Sequence, residues 1–189
     1  MAINQNWRPR FSVFVYTQKR QRRQRLTKPY VAIQQPVVKG GLAGTRKWSN
    51  LACKNSNGSL WCNGLWVNRD MRSRPGIVSN HARGLAIDLS YRWLNQKKLG
   101  MRDGRKTSLA FIIKCLQNAD HLGIQLVIDY QLQRSWRCDR GTWKPLPSVT
   151  QGDWYHIEIE PLLAHNPDIV KARFDAVFGA FPTSPPKPV

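Results

Sequence analysis

TSLAFIIKCLQNADHLGIQLVIDY, residues 107–130, reads as a helix followed at once by a strand. Leu109, Ile112, Ile113, Leu116 and Ala119 recur at helical spacing, which predicts one amphipathic helix over 107–122. Thr107 or Ser108 can cap its start and Gly123 can end it. The apolar run IQLVIDY at 124–130 then predicts a buried strand.

Working outward, LAIDL at 85–89 is a short apolar strand interrupted by one acid, and HIEIE at 156–160 alternates as a second strand. Asn166-Pro167-Asp168 opens another helix, with Asn as the cap and Pro in the first turn. Its buried stripe is Ile169, Val170, Phe174, Val177 and Phe178, and Gly179 ends it. Residues 51–80, rich in Asn, Ser, Gly and Trp, suggest loops with short strands. Strands and helices do not alternate as regular βαβ units. The expectation is therefore α+β: a small antiparallel sheet flanked by helices.

The ends differ from the middle. Residues 1–50 hold 11 Lys and Arg and no acid, a charge of +11. Residues 51–189 hold 19 basic and 11 acidic residues, a charge of +8. FSVFVY at 11–16 alternates like a short strand, KRQRRQR follows at 19–25, and KGGLAG at 39–44 reads as a linker. The division expected is a basic N-terminal extension and linker at 1–47, one domain at 48–180, and a Pro-rich tail at 181–189. A basic arm attracts polyanions such as nucleic acid, anionic wall polymers or anionic lipid, without naming one. No secretory signal is legible in the first thirty residues, and no segment approaches the ~20 apolar residues of a membrane span.

Cys53, Cys62, Cys115 and Cys138 lack the two-residue spacing of a zinc ribbon or thioredoxin-type motif. Cys53 and Cys62 are spaced to suit a loop disulfide in an oxidising setting; unpaired thiols are the alternative.

Two of the four histidines sit in suggestive settings. His81 lies in SNHARGLAIDL, seven residues before Asp88, and His156 lies in DWYHIEI at the mouth of a strand. Gly84 permits a tight backbone between His81 and the strand carrying Asp88. Buried in a strand, Asp88 needs a partner. Two His and one Asp make a three-ligand set of N and O donors, the usual protein complement of catalytic zinc. His121 and His165 have no such setting and read as structural.

SNHARGLAIDL at 79–89 resembles the S-x-H-x-x-G-x-A-x-D-L signature of zinc D-alanyl-D-alanine carboxypeptidases and related phage L-alanyl-D-glutamate endopeptidases. It matches at Ser79, His81, Gly84, Ala86, Asp88 and Leu89. DWYHIEI at 153–159 resembles their shorter second motif, E/D-x-x-H. The likeness spans roughly residues 50–162. The same superfamily includes lysostaphin-like peptidases and the Hedgehog signalling domain, so the resemblance implies a Hedgehog-like fold.

The resemblance further implies that His81, Asp88 and His156 hold Zn2+ and that Asp153 is the general base, where many members have Glu. Glu158, two residues after His156 and on the same side of a regular strand, is the rival: base, or partner that orients a ligand. Family members place an Arg near the metal to stabilise the oxyanion. Arg69, Arg72 and Arg74 are the candidates, and Arg69 best matches the family spacing. Ser79 either binds substrate or shapes the turn, and Arg72 and Trp154 are further substrate-binding candidates. Trp136, Trp143, Trp154 and Tyr155 either wall a cleft or pack in the core.

The activity implied is hydrolysis of a stem-peptide bond in peptidoglycan by an endolysin or virion-associated lysin, acting as a monomer on the cell wall after release from the cytoplasm. A D-Ala-D-Ala carboxypeptidase is the variant within the family. Outside it stand a basic nucleic-acid-binding protein, including a metal-dependent nuclease, and a zinc-binding relative that is not catalytic.

Overall fold

A computed structural model describes residues 42–71, 74–91, 93–94, 100–101 and 104–180. The basic arm, Arg72 and the Pro-rich tail lie outside the described residues. The chain folds as α+β around an antiparallel sheet, as the pattern of elements requires. In order the elements are α1 (Ala43–Asn55), β1 (Trp61–Gly64), β2 (Asp70–Met71), β3 (Arg74–Val78), β4 (Ala86–Ser90), β5 (Trp93–Leu94) and β6 (Gly100–Met101). These are followed by α2 (Arg105–Gln117), α3 (Ala119–Leu122), β7 (Ile124–Asp129), β8 (Arg134–Arg137), β9 (Trp143–Pro145), β10 (Trp154–Ile159), α4 (Pro161–His165) and α5 (Pro167–Phe178).

Among the described residues, six strands form the main sheet in the order β1-β4-β10-β7-β8-β9, every neighbour antiparallel. The last strand in sequence, β10, is thus inserted between β4 and β7. Period-two alternation gives the sheet two distinct faces. Ile87, Leu89, Val127, Tyr155 and Ile157 join the hydrophobic core with residues of the helices. Asp88, His156 and Glu158 lie on the opposite face. Strands β2 and β3 pair as a separate two-stranded antiparallel sheet, almost wholly exposed.

Helix α1 packs on α4 and α5. Its fully buried Trp48 donates from Nε1 to the Leu122 carbonyl at 3.2 Å and meets Phe174 edge-on at 5.2 Å. Burying an indole removes ~150–250 Å² from water, roughly 4–6 kcal/mol of transfer free energy. Gly44 is required for the approach: a Cβ there would stand 1.8 Å from the Leu163 carbonyl oxygen. The domain therefore starts before residue 48. Leu42, Gly44 and Thr45 are buried, so the C-terminal part of the expected linker, and the first residues of the expected loop region at 51–80, belong to a helix.

The single helix expected over 107–122 is two. Helix α2 begins at Arg105, Ser108 bonds to the Arg105 carbonyl rather than capping, and the chain breaks at Asn118 before α3. The buried face is Ser108, Phe111, Ile112 and Cys115, whereas Ile113 is 48% exposed. Two overlapping apolar faces compete on this helix, and the stacking of Phe111 on Phe178 at 5.3 Å selects one. Gly123 ends α3 in the left-handed region, φ +66°. Helix α5 starts after Asn166, whose side chain bonds back to the Leu162 carbonyl instead of capping forward. Val170 and Phe174 are its buried residues, with Ile169, Val177 and Phe178 partly buried beside them.

Candidate metal centre

His81, Asp88 and His156 converge. Asp88 on β4 and His156 on β10 are direct cross-strand partners, so their side chains emerge side by side on the face away from the helices. His81 arrives from the turn before β4. The Ser79 hydroxyl accepts from the Ala82 amide at 3.3 Å, the Gly84 amide donates to the His81 carbonyl at 3.0 Å, and the Leu85 amide donates to the Asn80 carbonyl at 2.8 Å. Gly84 takes φ +72°, the left-handed conformation this turn needs. The Thr45 hydroxyl of α1 donates to the Gly84 carbonyl and anchors the turn to the helical layer.

Three atoms face one another. His81 Nε2 lies 3.1 Å from His156 Nδ1, His156 Nδ1 lies 3.0 Å from Asp88 Oδ1, and His81 Nε2 lies 3.3 Å from Asp88 Oδ1. A tetrahedral ion with bonds of ~2.0–2.1 Å separates its ligand atoms by roughly 3.3 Å. The triangle therefore matches the size of such a site. The far nitrogens are also engaged. His81 Nδ1 is 3.4 Å from the Leu65 carbonyl, and His156 Nε2 is 3.1 Å from Glu158 Oε1. Carbonyl and carboxylate both accept, so both contacts favour N–H on the far nitrogens and turn the lone pairs of the near ones inward. Two lone pairs and a carboxylate oxygen then converge where a cation, or a proton, is needed to relieve their repulsion.

The electrostatics agree. Burial lowers the His156 imidazole, but its hydrogen bonds to Asp88 and Glu158, with their charges, outweigh this and push it up to about 9. Burial raises the Asp88 carboxyl, yet the two histidines hold it well below the usual carboxylate range. Glu158, 8% exposed, is raised by burial and brought below its ordinary value by His156, by a hydrogen bond from the Asn80 side chain and by the His81 charge. Asn80 thereby links the turn bearing His81 to the strand bearing His156. The His81 side chain is 7% exposed, His156 12% and Asp88 26%, so the triad opens to solvent on the Asp88 side.

The other candidates divide. Glu158 touches His156 and sits behind it, the orienting place. Asp153 lies at the bend before β10, its carbonyl accepting from the Tyr91 amide at 3.2 Å and the Ser90 hydroxyl at 3.1 Å. Ser79 is buried and uses its hydroxyl in the turn. The Arg69 carbonyl accepts from the Ser79 amide at 3.1 Å, which joins the base of the β2–β3 pair to the His81 turn. Trp154, on the His156 face of β10, is half-buried against Tyr130 at 4.6 Å. Trp136 and Tyr155 are core residues, and Trp143 is half-buried under the Arg134 guanidinium at 4.4 Å. His121 and His165 are exposed and apart from the triad. All four cysteines are free thiols, and burial together with the Cys62 charge pushes Cys53 up to about 11.

Two residues escaped the sequence reading. Asn80 is hidden because nothing local predicts its reach to Glu158. Asp129 is a fully buried acid in an apolar strand, the same signal that singled out Asp88, and it pairs with Arg105 and Arg134 on the core face. Comparison with protein-family models, curated proteins and solved structures returned no match.

Proposed function

We propose that this chain is a zinc-dependent peptidase that hydrolyses a stem-peptide bond of peptidoglycan, with a Hedgehog-type arrangement of its sheet and metal centre. The observation that carries the metal is the triangle of His81 Nε2, His156 Nδ1 and Asp88 Oδ1, with sides of 3.0–3.3 Å and an acceptor behind each ring. Two imidazoles and one carboxylate suit zinc and leave a fourth position open. Zinc bound there lowers the pKa of a water molecule towards ~7 and polarises a carbonyl.

The chain's own residues supply the rest. Glu158 and the Leu65 carbonyl hold the two rings in their tautomers. Asp153 is the general base, three residues before His156 as in the resembling motif; it accepts a proton from the attacking water and returns it to the leaving amine. Glu158 is the weaker candidate for that task because its carboxylate already serves His156 Nε2. In this reading Arg69 stabilises developing negative charge and Trp154 walls the substrate side, the roles that the resembling motifs imply for them. The setting proposed is an endolysin or virion-associated lysin, acting on the wall after release. Among the described residues no helix is long and apolar enough to cross a membrane.

The test is digestion of purified sacculi by the full-length protein, with mass spectrometry of the soluble muropeptides. Cleavage products that vanish with EDTA and return with zinc are expected. Intact stem peptides across several wall chemotypes would refute the proposal. The charge of +11 over residues 1–50 favours a second activity, nucleic-acid binding by the arm. It predicts salt-sensitive DNA binding that survives His81→Ala and is lost on deleting residues 1–36.

A further inference from the structure

Opposite the triad, on the core face of the sheet, a single guanidinium joins two strands and the residue that follows a third. Arg105, the first residue of α2, donates from Nη1 to Asp129 Oδ1 at 3.0 Å and to the Tyr155 hydroxyl at 2.9 Å, and from Nη2 to Asp129 Oδ2 at 2.7 Å. Its carbon centre lies 5.0 Å from the Tyr91 ring and 5.3 Å from the Tyr155 ring. Tyr91 immediately follows β4, Tyr155 lies on β10 and Asp129 on β7, with Tyr155 and Asp129 direct register partners. Asp129 is completely buried and also accepts from Arg134 Nε at 3.3 Å and the Leu132 amide at 3.3 Å.

We propose that Arg105 is a positioning residue for the metal centre, clamping from the core face the strand that carries His156 to β7 and packing on Tyr91, the residue that follows the Asp88 strand. The inference rests on the metal reading above. Stability alone accounts poorly for such a cluster, because a buried ion pair often contributes no more than apolar packing of the same volume. Its distinctive property is geometry. A planar bidentate fork fixes the carboxylate in position and orientation, where an aliphatic contact would allow sliding.

Geometry is what the opposite face needs. Metal ligands must be held to within ~0.2 Å. Tyr155 is covalently adjacent to His156 and points to the other side of β10, so a rotation of the strand at Tyr155 swings His156 out of the triangle. Tyr91 stands three residues beyond Asp88, and its amide donates to the Asp153 carbonyl, so the same clamp spans the proposed base.

The test measures cobalt(II) affinity and visible absorption of the full-length protein, alongside thermal unfolding. Arg105→Lys keeps the charge but loses the fork, and Tyr155→Phe removes only the hydroxyl. Val170→Ala, in the buried face of α5, is the control for plain destabilisation. Arg105→Lys is expected to weaken cobalt binding about 5–20-fold and Tyr155→Phe about 3–10-fold, with shifted d–d bands, on the scale of outer-shell effects. Val170→Ala is expected to lower Tm and keep wild-type cobalt affinity and spectrum. Should Arg105→Lys fail to fold, Tyr155→Phe carries the test. Wild-type affinity and spectrum in the clamp variants, or equal weakening in Val170→Ala, would overturn the clamp while leaving the metal reading intact. A wild-type protein that binds no cobalt would overturn both.

Discussion

Metal binding to this centre is expected to compete with a proton on His156. In the metal-free protein the Nδ1 of His156 faces Asp88 at 3.0 Å while Nε2 faces Glu158 at 3.1 Å, and the two carboxylates push the imidazole up to about 9. At pH 7 His156 is then mostly protonated, so the apparent metal affinity lies well below its plateau. Affinity should rise about tenfold per pH unit from 7 to 9 and then level off, with close to one proton released from His156 per ion at pH 7.

The sign for stability is opposite. A raised folded pKa stabilises fully below the unfolded value of 6.5 and loses that contribution as pH climbs through about 9. The metal-free protein should therefore weaken by up to about 3 kcal/mol across that window. Glu158→Gln removes one of the two carboxylates, so its affinity should fall about 10–100-fold at pH 9 while the slope between pH 7 and 9 flattens. Titration calorimetry with zinc, run at each pH in buffers of different ionisation enthalpy, measures affinity and proton release together. A log affinity that stays level between pH 7 and 9, or one that keeps the full slope in Glu158→Gln, would refute the reasoning.

Removing a ligand should act more bluntly: Asp88→Asn is expected to weaken zinc binding at least 100-fold, read by competition with a chromophoric chelator. Asp153→Asn should cut muropeptide release by about 10²–10⁴-fold with zinc affinity unchanged; full activity in that variant would reassign the base. Gly44→Ala places a methyl 1.8 Å from the Leu163 carbonyl oxygen and must force α1 from α4. Urea unfolding should show a loss of about 3 kcal/mol or more, and a loss below about 1 kcal/mol would disprove the close approach.

The local chemistry of this protein is legible in its sequence. Period two in HIEIE and the apolar LAIDL and IQLVIDY identify three strands of the main sheet, because alternation and burial are properties of a few consecutive residues. Gly84 and Gly123 mark turns for the same local reason, each taking the left-handed conformation. The three candidate ligands were legible as residue types in a recognisable spacing. Their convergence was not, because β10 reaches Asp88 only by inserting between β4 and β7, a pairing between residues 68 positions apart. Choices between near-equal local alternatives were likewise settled by partners distant in sequence. Phe178 selected the buried face of α2, Leu163 and Ala164 drew Gly44 into a helix–helix contact, and His156 claimed the Glu158 carboxylate. Sequence determines what each residue can donate, accept or bury. Tertiary structure decides which of those capacities meet, because the energy of a hydrogen bond, an ion pair or a ligand triangle is set by distances that no local pattern encodes.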